Sequence, residues 1–347
     1  MRVDIFDVGH GHCSVVNAPN GRRMMLDCGD RWSEQTFWTP SLHYFAETID
    51  ALALLNLDED HISDFDGMMQ NCAVPWILSN PTVGPNEFAV LKKGGMGAGA
   101  KSVAKWLARP KQPIFVAEPD MAPVQIRWYY GFYVPGAPNT TNNLSLVVVA
   151  QFGAFKIVFA GDLEVAGWRR PMMGSHEHRG AHEILPEGRE SGCCTELFDL
   201  FQPQLVVISD DERQYDSQDT DDWYRNRCTG AVFAENPGAV RYVATTRKDG
   251  SMRIDVDAAG RWWIQRVAVR DWPRNPAPAI QPGLVALAGL GFGQNVLTPG
   301  ASGLLSALSP PPAPSGSSLA DLLNINDDPL SRALGLASPF APMLRKR

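Results

Sequence analysis

No run of eighteen apolar residues occurs in the 347-residue chain, so nothing in it is expected to cross a bilayer as a helix, and no membrane partner is expected. A basic tract is missing too. Lys and Arg number 31 against 38 Asp and Glu, a formal charge of −7, and no Lys/Arg-dense stretch interrupts the body. That speaks against a broad electrostatic footprint for nucleic acid. A small substrate, or a short strand held mainly through metal, suits the balance better. Cys13, Cys28, Cys72, Cys193, Cys194 and Cys228 lack CxxC spacing, and scattered thiols of this kind are expected to be buried in a reducing, cytoplasmic setting. The opening MRVDIFDVGHGHC alternates and carries charge where a secretory leader would hold its apolar run, so it reads as a strand start.

What is present suits one α/β domain with an appendage, and 44% hydrophobic residues suffice for its core. Residues 3–8 alternate as a strand. Val15–Val16 and Met24–Leu26 flank Asn20-Gly21, a strong hairpin signal. Ala51–Asn56 is a continuous apolar run of the kind buried on both faces. A helix is expected near 64–72, a short strand at 76–78 and a helix over 86–108, weakened by Gly94, Gly95, Gly97 and Gly99. Leu144–Ala150 and Phe155–Ala160 form a second hairpin across Phe152-Gly153. Further on, 195–201 reads as helix, 205–209 as strand, 217–228 as helix and 241–245 as strand, before a last hairpin turning at Ala259-Gly260. Hairpins at both ends with helices between suggest a layered αββα sandwich over 1–272. From 273 to 347 the Pro/Gly/Ser content cannot build a core. Its apolar islands, Leu284–Phe292, Leu319–Ile325 and Leu330–Met343, leave two readings open: weak helical turns in a disordered tail, or segments that dock on a protein partner or on the body.

Chemistry concentrates where strands end. Asn56-Leu57-Asp58-Glu59-Asp60-His61 follows the buried run, and Asp58, Asp60 and His61 place three potential ligands within four residues. Acids also favour the start of the next helix, which accounts for Asp64 better than for those three. Gly161-Asp162 closes the strand IVFAGD, and Asp27 in MMLDCGD stands alike; alone, each could cap a helix or bind metal. His176, His178 and His182 fit an exposed loop or substitute ligands. Asp210 after LVVIS fits a partner of a metal ligand, a helix cap or a solvated edge.

Taken together, these blocks resemble the metallo-β-lactamase superfamily, and in pattern the hydrolase domain of ComEC-like competence proteins, over roughly residues 2–266. DVGHGHCSVVNAPNGRRMMLDCGD is similar to that family's opening. LLNLDEDHISDFDG stands where the superfamily carries His-x-His-x-Asp-His. TTNNLSLVVVAQFGAFKIVFAGDLE resembles its Asn-Ser-Leu strand, hairpin and Gly-Asp ligand. EGRESGCCTELFDLFQPQLVVISDD resembles the stretch that starts His-His-Gly-Arg-Glu-Ser-Gly, and TTRKDGSMRIDVDAAGRWWI the closing hairpin.

The resemblance implies a four-layer αββα sandwich and a metal-dependent hydrolase of phosphodiesters, using water activated by metal. Carried across by position, the two leading His fall on Asn56 and Asp58, Asp60 and His61 match, and a further His falls on Asn142 or Asn143. Asp162 matches the bridging carboxylate, and a late His pair falls on Pro186 and Glu187. The expected metal ligands are therefore Asp58, Asp60, His61, Asp162 and Glu187, with Asp60 also orienting the water or taking its proton. So oxygen-rich a set suits Mn²⁺ or Mg²⁺ better than Zn²⁺. The substrate implied is a small-molecule or short nucleic-acid phosphodiester. The loss of the leading His pair equally suits a catalytically silent binding module that recruits a partner through its tail.

Overall fold

Period-two alternation builds the centre of the fold. The computed structural model describes residues 1–32, 37–109, 118–168, 172–173, 198, 202–211 and 221–268. Its first strands are β1 (Arg2–Ile5), β2 (Ser14–Asn17), β3 (Arg23–Leu26), the short pair β4 (Arg31–Trp32) and β5 (Phe37–Trp38), then β6 (Ala51–Ala53) and β7 (Ile77–Leu78). Val3, Ile5, Val16, Met24, Leu26, Ala51 and Ala53 enter one core, while Val15, Met25 and Leu52 enter another. Successive side chains on a strand face opposite ways, so these strands are apolar on both sides and need two covers.

One cover is a second sheet. Strands β8 (Gln125–Gly131), β9 (Leu146–Phe152), β10 (Phe155–Phe159) and β11 (Met172–Met173) pair antiparallel in the order β10-β9-β8-β11. Leu146, Val148, Ala150, Phe155 and Phe159 meet the first core. The other cover is helical. Ile62 of α2 (Glu59–Ile62), Phe65 and Met68 of α3 (Phe65–Asn71), Phe88 of α4 (Pro85–Leu91) and Val103 of α5 (Ala98–Leu107) fill the second core, with α1 (Pro40–His43) ahead of them in the chain.

The strands β12 to β17 follow in sequence. β12 (Val206–Ile208) and β15 (Val243–Thr245) pair in parallel as a separate small sheet. β13 (Ala231–Phe233), β14 (Asn236–Arg241), β16 (Met252–Val256) and β17 (Trp262–Arg266) complete the order β14-β13-β17-β16-β1-β2-β3-β6-β7. The described fold is thus mixed α/β, with helix, large sheet and small sheet in layers. Of the expected αββα sandwich, the mixed α/β class, the large sheet and several helices are observed.

Several expected elements stand where alternation placed them. The β2–β3 hairpin turns at Gly21, whose φ of 85° suits glycine, and β9–β10 and β16–β17 form the other two hairpins expected from the sequence. The single helix over 86–108 is instead two, α4 and α5, parted across residues 92–97. Gly95 there adopts φ 127°, which no helix tolerates. β8 has no counterpart in the sequence reading, because QIRWYYG mixes charged and aromatic residues without clean alternation. Residues 195–201 apart from Phe198, residues 217–220 and the tail from 273 lie outside the described residues, as do Glu187, His176, His178, His182, Cys193 and Cys194, while Asp221–Arg225 is helical within the expected 217–228. Of the remaining thiols, Cys13 and Cys28 are buried as expected, while Cys72 and Cys228 are half-buried.

Candidate metal centre

A strand end, a loop and a hairpin exit converge on one buried imidazole. β3 ends at Leu26, just before Asp27; β6 leads through Asn56–Asp58 into α2, which carries Asp60 and His61; and β10 ends at Phe159, shortly before Gly161-Asp162. His61 is 1% exposed and held at both nitrogens: Nδ1 lies 2.7 Å from Asp27 Oδ2 and Nε2 lies 3.0 Å from Asp162 Oδ2. Asp60 Oδ2 is 3.8 Å from the same Nε2 and 3.8 Å from His10 Nε2. Burial opposes charge on His61, yet the carboxylates of Asp162 and Asp27 outweigh it and hold the ring well above its usual range. Burial also pushes the Asp60 carboxyl up, with His61 opposing and Asp162 adding to the rise.

Asp27 organises this centre, and it sits in the left-handed region at φ 58°, where Asp is among the few residues tolerated. Its side chain is fully buried. Oδ1 accepts from the Leu55 N–H at 2.6 Å, and Oδ2 meets both His61 Nδ1 and His12 Nδ1, the latter at 3.1 Å. Among the described residues, His12, Asp27 and His61 form the group of metal-ligating side chains whose ligand atoms lie within 4.8 Å of one another. One carboxylate oxygen shared between two rings at such distances is a hydrogen-bonding anchor. It fixes the ring orientations and leaves His61 Nε2 facing Asp60 and Asp162. His12 Nε2 lies 2.8 Å from Ser14 Oγ, so Ser14, His12 and Asp27 line up in the order of a hydrolytic triad. Ser14 is fully buried, which denies it a substrate, and the row serves to hold His12.

Two glycines set the position of Asp60. A Cβ on Gly11 would stand 2.1 Å from the Asp60 carbonyl oxygen, and one on Gly29 2.2 Å from the same atom. Cys28 N–H donates to His61 O at 2.8 Å, Gly29 N–H to His12 O at 3.0 Å and Asp64 N–H to Cys28 O at 3.1 Å. The three chain segments are sewn together by backbone alone.

At the Asp60–His61–Asp162 end the donor types suit a divalent ion, and the Asp162 and Asp60 oxygens stand 3.0 and 3.8 Å from His61 Nε2, within the roughly 3 to 4 Å between ligands of an octahedral ion. A cavity of about 50 Å³ adjoins His61, Asp162, Gly161 and Ser209. The Ser209 hydroxyl is buried without a hydrogen-bond partner among the described residues, while the other walls of the cavity are mostly apolar, from Leu55, Val158, Phe159 and Ala160.

The other end is arranged differently. Asn56 Nδ2 donates to Asp162 Oδ2 at 2.9 Å and to Asn142 Oδ1 at 3.0 Å. Asn142 and Asn143 donate to the two oxygens of Glu164 at 3.2 and 3.0 Å. Asp58 is ion-paired with Lys92 and accepts from Thr141 Oγ1 at 2.6 Å. Of the five expected ligands, Asp60, His61 and Asp162 are brought together, Asp58 faces Lys92, and Glu187 lies outside the described residues. Asp210 is engaged with Thr246 and with Arg247, whose guanidinium is 3.2 Å away, in line with the cap at the start of Thr246–Asp249. Sequence reasoning left Asp27 as an isolated candidate and missed His12, Lys92 and Thr141. The strand-end Asp-x-Gly of LDCGD was the available signal for Asp27.

Fold and site together define a mixed α/β protein with a candidate metal centre at its strand ends. No family model matches the chain. ComE operon protein 3 of Bacillus subtilis (strain 168) is 24% identical over 229 residues, 60% of this chain and 28% of that protein. The similarity is weak support for a ComEC-like relative, and this chain spans less than a third of that protein's length.

Proposed function

We propose that the chain is a metal-dependent hydrolase of phosphodiester bonds. The carrying observation is the meeting of Asp60 and His61, from the start of α2, with Asp162, from the exit of β10, beside a small cavity that His61 and Asp162 line. The resemblance to the metallo-β-lactamase superfamily and the similarity to ComE operon protein 3 support the same reading. Asp60, His61 and Asp162 would hold the ion, with Glu187 a further ligand. When bound, a divalent ion supplies a Lewis acid and lowers the pKa of water. Asp27 keeps the Nδ1 hydrogen of His61 and so reserves Nε2 for the centre. Asp60, half-buried at the rim, orients the attacking water and takes its proton. Oxygen-rich coordination favours Mn²⁺ or Mg²⁺ over Zn²⁺. The substrate is a phosphodiester of a small molecule or short nucleic-acid strand.

Hydrolysis of bis-p-nitrophenyl phosphate by the full chain with Mn²⁺ or Mg²⁺ tests this, with circular dichroism as the control for folding. Turnover that His61→Ala and Asp162→Ala both abolish is expected. Turnover unchanged in those variants would sink the reading. A second reading, a silent binding module, is favoured by one observation: Asn56 Nδ2 donates to both Asp162 and Asn142, placing an amide donor where a metal would need a lone pair. Absence of bound metal together with absence of turnover would select it.

A further inference from the structure

We propose that Lys92 is a built-in cation that stands in for a divalent ion at the Asp58 end of the centre. Both Asp58 oxygens are occupied, Oδ1 by the Lys92 ammonium and Oδ2 by the Thr141 hydroxyl at 2.6 Å. The Lys92 side chain is 12% exposed, and an ammonium withdrawn from water needs an opposite charge beside it. Asp58 is that charge.

The neighbouring amides turn the same way. The Asp58 N–H donates to Asn56 Oδ1 at 3.0 Å. A backbone N–H cannot accept, so this bond fixes the flip of the Asn56 amide. Nδ2 then faces Asp162 and Asn142. A divalent ion requires oxygen or nitrogen lone pairs around it; here an NH₂ group and an ammonium present hydrogens instead. The end is closed by donors.

Lys92 reaches Asp58 because of the break between α4 and α5. The chain leaves α4 at Lys92 and re-enters helix at Ala98. Glu59, next to Asp58, accepts from the Gly99 and Ala100 N–H groups at 2.7 and 3.0 Å. A Cβ on Gly97 would collide with the Glu59 carboxyl at 2.1 Å. The joint thus grips two consecutive acids, Asp58 through Lys92 and Glu59 through the start of α5. Ion capacity is left to the Asp60–His61–Asp162 end.

This inference rests on the hydrolase reading only for the location of the centre. Calorimetric titration of the full chain with Mn²⁺ would be compared among the parent, Lys92→Met, and Lys92→Met with Asp58→Asn. Lys92→Met is expected to bind one more Mn²⁺ equivalent than the parent, and the added Asp58→Asn to remove the gain. Lys92→Gln serves if the methionine variant does not fold. Melting temperatures should show coupling, with the double variant losing less than the sum of Lys92→Met and Asp58→Asn. Equal stoichiometry in the parent and the Lys92 variant overturns the proposal, whatever number the parent binds. A parent binding no Mn²⁺ beside a variant binding one would sink the hydrolase reading and leave the Lys92 assignment standing.

Discussion

The two ends of the centre differ in what faces their carboxylates. At the Asp60–His61–Asp162 end, acceptors converge around one imidazole nitrogen and a buried hydroxyl of Ser209 stays without a partner among the described residues. At the Asn56–Asp58–Asn142 end, each polar group named above has found another within the chain. An amide beside a carboxylate, as Asn56 beside Asp162, therefore acts differently from an imidazole there. An imidazole nitrogen in its ligating form offers only a lone pair on that side, whereas a side-chain amide carries donors that can quench the neighbouring acid.

The sharpest break in this contrast is expected from Asp27, which supports the open end from below. Asp27→Ala removes the acceptor for two rings and the Leu55 N–H, and should cost about 3–5 kcal/mol in a urea melt, as for a broken buried pair. A loss below about 1 kcal/mol would mean the rings find other partners. Next in size is activity. His61→Ala and Asp162→Ala should each lower phosphodiester turnover at least about 100-fold, roughly 2.7 kcal/mol, whereas Asn142→Ala should stay within about threefold. Equal losses at both ends would erase the distinction between them.

Metal choice follows. After chelation and reloading with equal Mn²⁺, Mg²⁺ and Zn²⁺, elemental analysis should find Mn²⁺ or Mg²⁺ retained over Zn²⁺. Stoichiometric zinc that resists dialysis would reverse that preference. The smallest effect concerns Asp64, which accepts from the Ser41 N–H and hydroxyl at 2.7 and 2.9 Å. Burial, opposed by those bonds, pushes its carboxyl up to about 6. A raised acid favours the folded state when protonated, so the parent should gain stability as pH falls from 7 to 5, by roughly 1 kcal/mol relative to Asp64→Asn. A parallel pH profile in the two proteins would show that Asp64 ionises as in the unfolded chain.

How much of this was legible in the chain differs by residue. Val3, Val16 and Met24 announce their face by alternation, and Asn20-Gly21 announces its turn, because both signals are local. Asp60, His61 and Asp162 were findable because they follow apolar strands. The task of Asp27 was not legible, since its partners His12 and His61 arrive from 15 and 34 residues away. Lys92 is hidden in the same manner: its glycine-rich surroundings read as a weak helix, and nothing local says that Asp58 lies beneath it. The break in that helix is visible afterwards as a joint with work to do.

The clearance at Gly11 and Gly29 has a consequence for motion. Both glycines lie against the Asp60 carbonyl with no room for a methyl group, and the segments that carry them are bonded through Cys28, His61 and His12. None can swing aside without taking the others along. Amide hydrogens of Cys28, Gly29, His61 and Asp64 should accordingly exchange with solvent deuterium as one cooperative unit, at a common opening free energy. The floor of the centre would then open all at once, never one loop at a time.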